Sequence, residues 1–172
     1  MASGNTLIVF SARDGVPSAT NGAVHGILAG GSTPAEGVPY LAFDSADDEY
    51  ADFIGVLPRN YAGGGLTVKL YWASTQTSGT CRWGVAFRRI QDDAEDVDTS
   101  HTYDFNTGGA TTASAVGEVD YFDITFTNGT DMDSLAVGEL FNMRVSRDGN
   151  GTSGTDDLTG DAYLIAIEIK ET

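Results

Sequence analysis

Two histidines, one cysteine, a run of three glycines and several clusters of acids are the features of this chain on which a reaction or a bound ion could be built. The glycines lie in LPRNYAGGGLTVKLYW, residues 57–72. A phosphate cradle needs its glycines to lead into a helix N-terminus, with Lys and Ser/Thr at set offsets. Here an alternating apolar run follows instead, so a nucleotide site is not expected. A Ser/His/Asp site needs a positioned base beside its nucleophile, and nothing resembles an elbow such as G-x-S-x-G. His25 and His101 therefore read as exposed or hydrogen-bonded side chains rather than metal ligands. Cys81 is the only cysteine, which excludes an intrachain disulfide and a cysteine-rich zinc site, and its place in an apolar strand pattern predicts a buried, inert thiol.

The acids raise two chemistries, calcium binding and glycoside hydrolysis. DGNGTSGTDD, residues 148–157, begins like a calcium loop with Asp148 and Asn150. The sixth position, however, is Ser153 where the turn needs glycine, and Thr159 stands where a bidentate carboxylate belongs. The clusters Asp44, Asp47, Asp48, Glu49 and Asp92, Asp93, Glu95, Asp96, Asp98 offer weak calcium binding at most, and no cofactor is implied. Glycoside hydrolysis needs two carboxylates flanking one groove. Asp52 and Asp123 lie inside strand patterns but on outward faces, and the other acids crowd into loops, so an enzyme is not expected.

These residues must be positioned by strands. Nearly every periodic segment alternates with period two, as expected where one strand face is buried and the other wet. The clearest inward rows are Leu66, Val68, Leu70, Trp72; Trp83, Val85, Phe87; Phe122, Ile124, Phe126; Phe141, Met143, Val145; and Ile165 with Ile167, flanked by Tyr163 and Ile169. Strands are predicted at 6–11, 38–43, 50–57, 66–75, 81–90, 119–128, 138–147 and 161–171, with a weak one at 102–105. The best helical candidate is a single turn at 134–140, with Asp131, Asp133 or Ser134 as cap. About eight strands joined by long polar loops predict an all-β, antiparallel two-sheet sandwich of Greek-key or jelly-roll type. A core of this size is accessible to 172 residues of which 41% are hydrophobic.

The net charge of −16 disfavours nucleic acid and anionic membranes as partners. No apolar run is long enough to span a bilayer. The N-terminus lacks a basic region followed by an apolar one, so signal-driven secretion is not expected and the chain reads as a soluble globular protein.

Two segments stand apart. Pro58, Gly63, Gly64 and Gly65 predict a conformationally demanding corner leading into the Trp72 strand, against which Tyr61 packs or from which it contacts a neighbour. Residues 12–37 are rich in Gly, Ala, Ser and Pro with isolated apolar residues, a length uncommon for a loop without structure. Residues 1–37 thus read as a short strand plus either a long loop closing over its own sandwich or an extended arm, with Val16, Pro17, Val24, Ile27 and Leu28 as contacts to another subunit. Residues 38–172 read as the sandwich itself.

The stretches LAFD (41–44), FIGVLPRNYAGGGLTVKLYW (53–72), TSGTCRWGVAFRRI (77–90), MDSLAVGELFNMRVSRD (132–148) and GDAYLIAIEIKET (160–172) resemble the jelly-roll decoration, or cement, proteins of tailed bacteriophage heads. The resemblance covers residues 38–172 and contains no catalytic motif. It implies a structural virion protein, made in the host cytoplasm, that binds the major capsid protein on the outer surface of the head and stabilises the lattice. It also implies self-association, with a homotrimer fitting threefold lattice positions. Two alternatives use the same sandwich: a tail-associated or receptor-binding module, and a carbohydrate-binding module. The last requires a planar aromatic strip on one sheet, for which Tyr71, Tyr121 and Tyr163 are the strand aromatics available, Tyr163 reading as internal.

Overall fold

The computed structural model describes residues 4–172. Its strands are β1 (Thr6–Ser11), β2 (Val16–Pro17), β3 (Val24–Gly30), β4 (Glu36–Phe43), β5 (Asp48–Val56), β6 (Leu66–Ser74), β7 (Thr80–Ile90), β8 (Asn106–Thr111), β9 (Asp120–Phe126), β10 (Leu140–Asp148) and β11 (Ala162–Glu171). One sheet has the order β3-β4-β11-β6-β9, with β1 also beside β11; the other has the order β2-β5-β10-β7-β8. All paired strands are antiparallel, and the two sheets stack as an all-β sandwich of the jelly-roll kind.

The alternating rows meet between the sheets. Leu66, Val68, Leu70 and Trp72 of β6 are buried, as are Trp83, Val85 and Phe87 of β7 and Phe141, Met143 and Val145 of β10. Trp72 crosses Trp83 at 5.9 Å and 74°, and Phe87 meets Phe126 edge-on at 5.0 Å, so aromatic contacts tie one sheet to the other. Each such side chain contributes roughly 1.5–3 kcal/mol on burial, most of which the ordering of the chain offsets.

The inward row of β10 continues past Val145 to Arg147, which is wholly buried. The five N–H donors of its guanidinium are all used. Nε and Nη2 bond Asp156 at 2.9 and 2.8 Å, Nη1 bonds the carbonyls of Phe43 and Gly160, and Nη2 also bonds that of Leu158. Asp156 is equally buried and accepts the backbone N–H of Arg82 as well. This pair anchors the long 149–161 connection under the sandwich, and with five donors satisfied its burial is tolerated.

Several expectations are corrected. Residues 12–37 are not structureless: they form a short 3-10 turn (Ala12–Asp14), then β2 on one sheet and β3 on the other, so this segment lies on its own sandwich. The strand expected at 102–105 lies at Asn106–Thr111, and the helical turn expected at 134–140 is a short 3-10 turn at Thr130–Met132. In β11 the register shifts between Leu164 and Ala166. That bulge switches which residues face inward, so Ala162, Leu164, Ile167 and Ile169 are buried, whereas Ile165 is only half-buried and Tyr163 points outward. Phe122 is also half-buried, its ring lying over Gly108 of β8, where any Cβ would meet it.

The Pro58–Gly65 corner turns on itself: the Tyr61 N–H donates to the Pro58 carbonyl, and Gly63 has φ +93°. Tyr61 is buried in this corner, its hydroxyl donating to the Gly64 carbonyl, which removes it as a contact to a neighbour. Gly65 lies against the Phe126 backbone, with no room for a Cβ.

Candidate functional site

The outer face of the six-stranded sheet carries four tyrosines on four adjacent strands, Tyr40 (β4), Tyr163 (β11), Tyr71 (β6) and Tyr121 (β9). Alternation puts each on the side opposite the core. Tyr40 and Tyr163 lie with centroids 4.4 Å apart and planes tilted by 39°, and Tyr71 and Tyr121 lie across from one another at 6.1 Å and 52°. Tyr163 pairs with Ala73, two residues along the same face from Tyr71, so the two ring pairs are diagonal neighbours across small Ala73. The Tyr40 ring lies over Gly26 of β3, whose missing side chain makes space for it. Four neighbouring strands give a band about 14 Å across, from interstrand spacings of about 4.8 Å. Tyr121 is 62% exposed and the other three are half-buried.

Charged groups flank the rings on the same face. Lys69 bonds Asp123 at 2.9 Å and sits 4.3 Å over the Tyr121 ring, while Lys170 reaches the same carboxylate at 3.5 Å. The Tyr71 hydroxyl donates to Glu168 at 3.3 Å, and Thr6 donates to the other oxygen of that carboxylate. Burial lowers the affinity of Lys69 for its proton, but the Asp123 bond outweighs it and the ammonium titrates above its ordinary value. Burial and then Glu168 push Tyr71 up, and burial and then Asp161 push Tyr163 up, so both phenols remain neutral donors. Outward aromatic rings beside donors and acceptors of both charges can take a ligand with apolar C–H faces and many hydroxyl groups.

The outer face of the five-stranded sheet has a different character. Arg144 forms a two-pronged bond to Asp52 at 2.8 and 2.7 Å and lies 4.3 Å over Tyr103. Asn142 bridges Asp52 and the Tyr103 hydroxyl. These groups are engaged with one another and pin the 91–105 connection onto the sheet. Asp52 and Asp123 lie on opposite sheets and cannot flank one groove. Asp48 and Asp148 pair across β5 and β10, but Asp148 is filled by the N–H and hydroxyl groups of Thr152 and Ser153.

The other sequence-predicted residues are dispersed. His25 bonds the Gly15 carbonyl, and His101 lies near Asp133 and Tyr103. Cys81 is buried, which pushes its thiol well above the ordinary value. Among the described residues no three His, Cys, Asp or Glu side chains gather as metal ligands. Val16, Val24 and Ile27 are exposed, Pro17 and Leu28 half-buried. Of the tyrosine band, the sequence pattern supplied Tyr71 and Tyr121. Tyr163 was misplaced by the bulge, and Tyr40 could have been found from the alternation of Leu41 and Phe43, which turns it outward.

No protein-family model matches the chain, and no curated protein matches it. Its fold does have relatives among solved structures. A CBM35 from Paenibacillus barcinonensis superposes with a TM-score of 0.59 at 15% identity, over 96% of this chain and 99% of that one. A family 35 carbohydrate binding module from Clostridium thermocellum gives 0.57 at 11%, over 98% and 100%. The CBM22-1 xylan-binding domain of Paenibacillus barcinonensis Xyn10C gives 0.55 at 8%, over 99% and 97%. At such identities the likeness is one of fold.

Proposed function

We propose that this protein is a non-catalytic carbohydrate-binding module that takes a short run of sugar rings on the outer face of its six-stranded sheet. The observation that carries the reading is the band of Tyr40, Tyr163, Tyr71 and Tyr121 beside Lys69, Asp123, Glu168 and Lys170. Sugar C–H faces stack on aromatic rings, and ring hydroxyls exchange hydrogen bonds with the charged groups at the rim. The similarity of the sandwich to carbohydrate-binding modules supports the reading at the level of fold. The test is a glycan array with xylan and other polysaccharides in parallel pull-downs. Binding that disappears in Tyr163→Ala and Tyr121→Ala, both on the outer face, supports it; no glycan retained by the unaltered protein refutes it.

A second reading follows from a separate observation. Ile54, Val56 and Leu140 form an exposed apolar cluster on the outer face of the five-stranded sheet, where β5 and β10 pair Val56 with Leu140. Apolar surface of this kind meets protein. Together with the resemblance to phage decoration proteins, it supports a virion protein that docks on the capsid lattice through this sheet and leaves the tyrosine face outward. Electron microscopy of the parent virions tests it: density on the head supports the reading, and absence from the head removes it.

A further inference from the structure

We infer that the free edge of β3 pairs antiparallel with the same strand of a second copy, making a two-fold dimer. β4 pairs with β11 only through Leu41–Phe43, because β1 occupies the next stretch of β11 from Ala166 onward. The first half of β4 is therefore bonded to β3 alone, and the two strands leave the sheet as a ribbon. A two-stranded ribbon by itself is marginal in water. This one also exposes apolar side chains on both faces: Val24 (63%) and Val38 (41%) on the tyrosine side and Ile27 (58%) on the other.

Strand edges in soluble proteins are normally blunted by charge, proline or a covering loop. From Gly15 to Ala35 there is no Asp, Glu, Lys or Arg, in a chain with nine basic and twenty-five acidic side chains. Two copies with a net charge of −16 each repel over most of their surface, and this uncharged edge is where they can approach.

Closed two-fold pairing of identical edge strands is antiparallel, and it sets the exposed apolar side chains of each ribbon beside those of the other on the same face. A two-fold axis through such a pair stands perpendicular to the sheet, so both tyrosine faces look the same way.

Light scattering of the full chain over a dilution series tests the inference. The expected result is a mass of twice 18.0 kDa that falls to the monomer on dilution. Ile27→Lys, at an exposed position, should weaken the dimer at least tenfold with the melting temperature of the monomer unchanged. A monomer at every concentration, a trimer, or a dimer indifferent to Ile27→Lys overturns the inference.

Discussion

Replacing Arg147 with Met should be among the most damaging single changes in this protein. The side chain is fully buried and its five bonds reach three carbonyls and both oxygens of Asp156. Methionine fills comparable space but leaves the Asp156 carboxylate, itself buried, without its counter-charge. Breaking a buried pair by removing one partner costs about 3–5 kcal/mol. That is a large part of the roughly 5–15 kcal/mol that holds a domain together. For a chain of this size it corresponds to a fall in melting temperature of roughly 6–20 °C. Guanidinium unfolding followed by tryptophan fluorescence reports the change, because Trp83 pairs with Arg147 across β7 and β10. Asp156→Asn in the same background should recover part of the loss by removing the stranded charge. A cost below about 1 kcal/mol, the worth of a solvent-exposed pair, would show that water reaches this site and that the pair is not buried in solution.

Other outcomes follow from the same geometry. Gly65→Ala should cost roughly 1–3 kcal/mol or more, because its Cβ runs into the Phe126 backbone, and Gly63→Ala about 1 kcal/mol for its positive φ. Gly64→Ala should cost least; denaturant melts that reverse this order would contradict the corner geometry. Burial, then the Asp148 charge against the opposing Asn150 bond, raises Asp48, so this group favours folding in acid and works against it as pH rises through its folded value. Asp48→Asn should therefore raise the melting temperature at neutral pH, with the gain gone at about pH 3, below the ordinary Asp value. Asp148 goes the other way: burial raises it, but the bonds from Ser153 and Thr152 win and hold it below its ordinary value. Its contribution is present at neutral pH and lost as acid protonates it, so Asp148→Asn should lower the melting temperature at pH 7. Cys81 should react with a thiol reagent only at the rate of global unfolding, which timed alkylation in native buffer measures.

What could be read from the sequence was what a single strand decides for itself. The alternation in β6, β7 and β10 places Leu66 to Trp72, Trp83 to Phe87 and Phe141 to Val145 in the core because each row is large, apolar and unbroken. The same alternation, carried one step further, reaches Arg147, whose charge hid an inward position that only its partners from the 149–161 connection make tolerable. The remainder depends on neighbours. The bulge near Ile165 arises where β11 changes partners from β4 to β1, and nothing within AYLIAIEIKE marks it. β8, Asn106–Thr111, has no apolar row; it is a strand because β7 pairs with it and because Gly108 receives the Phe122 ring. β3 carries its apolar residues on the outside, so its pattern looked like a loop or an arm. The tyrosine band was half visible for the same reason, since its continuity depends on the order of β4, β11, β6 and β9 across the sheet.

Whether sugar binds on those four rings is decided by titration calorimetry with the strongest ligand from the glycan array. The expected result is a saturable interaction that Tyr121→Ala or Tyr40→Ala weakens at least tenfold, about 1.4 kcal/mol, while Tyr50→Ala in β5 of the opposite sheet leaves it intact. Unchanged affinity in Tyr121→Ala and Tyr40→Ala, or loss of binding in Tyr50→Ala alone, would contradict it.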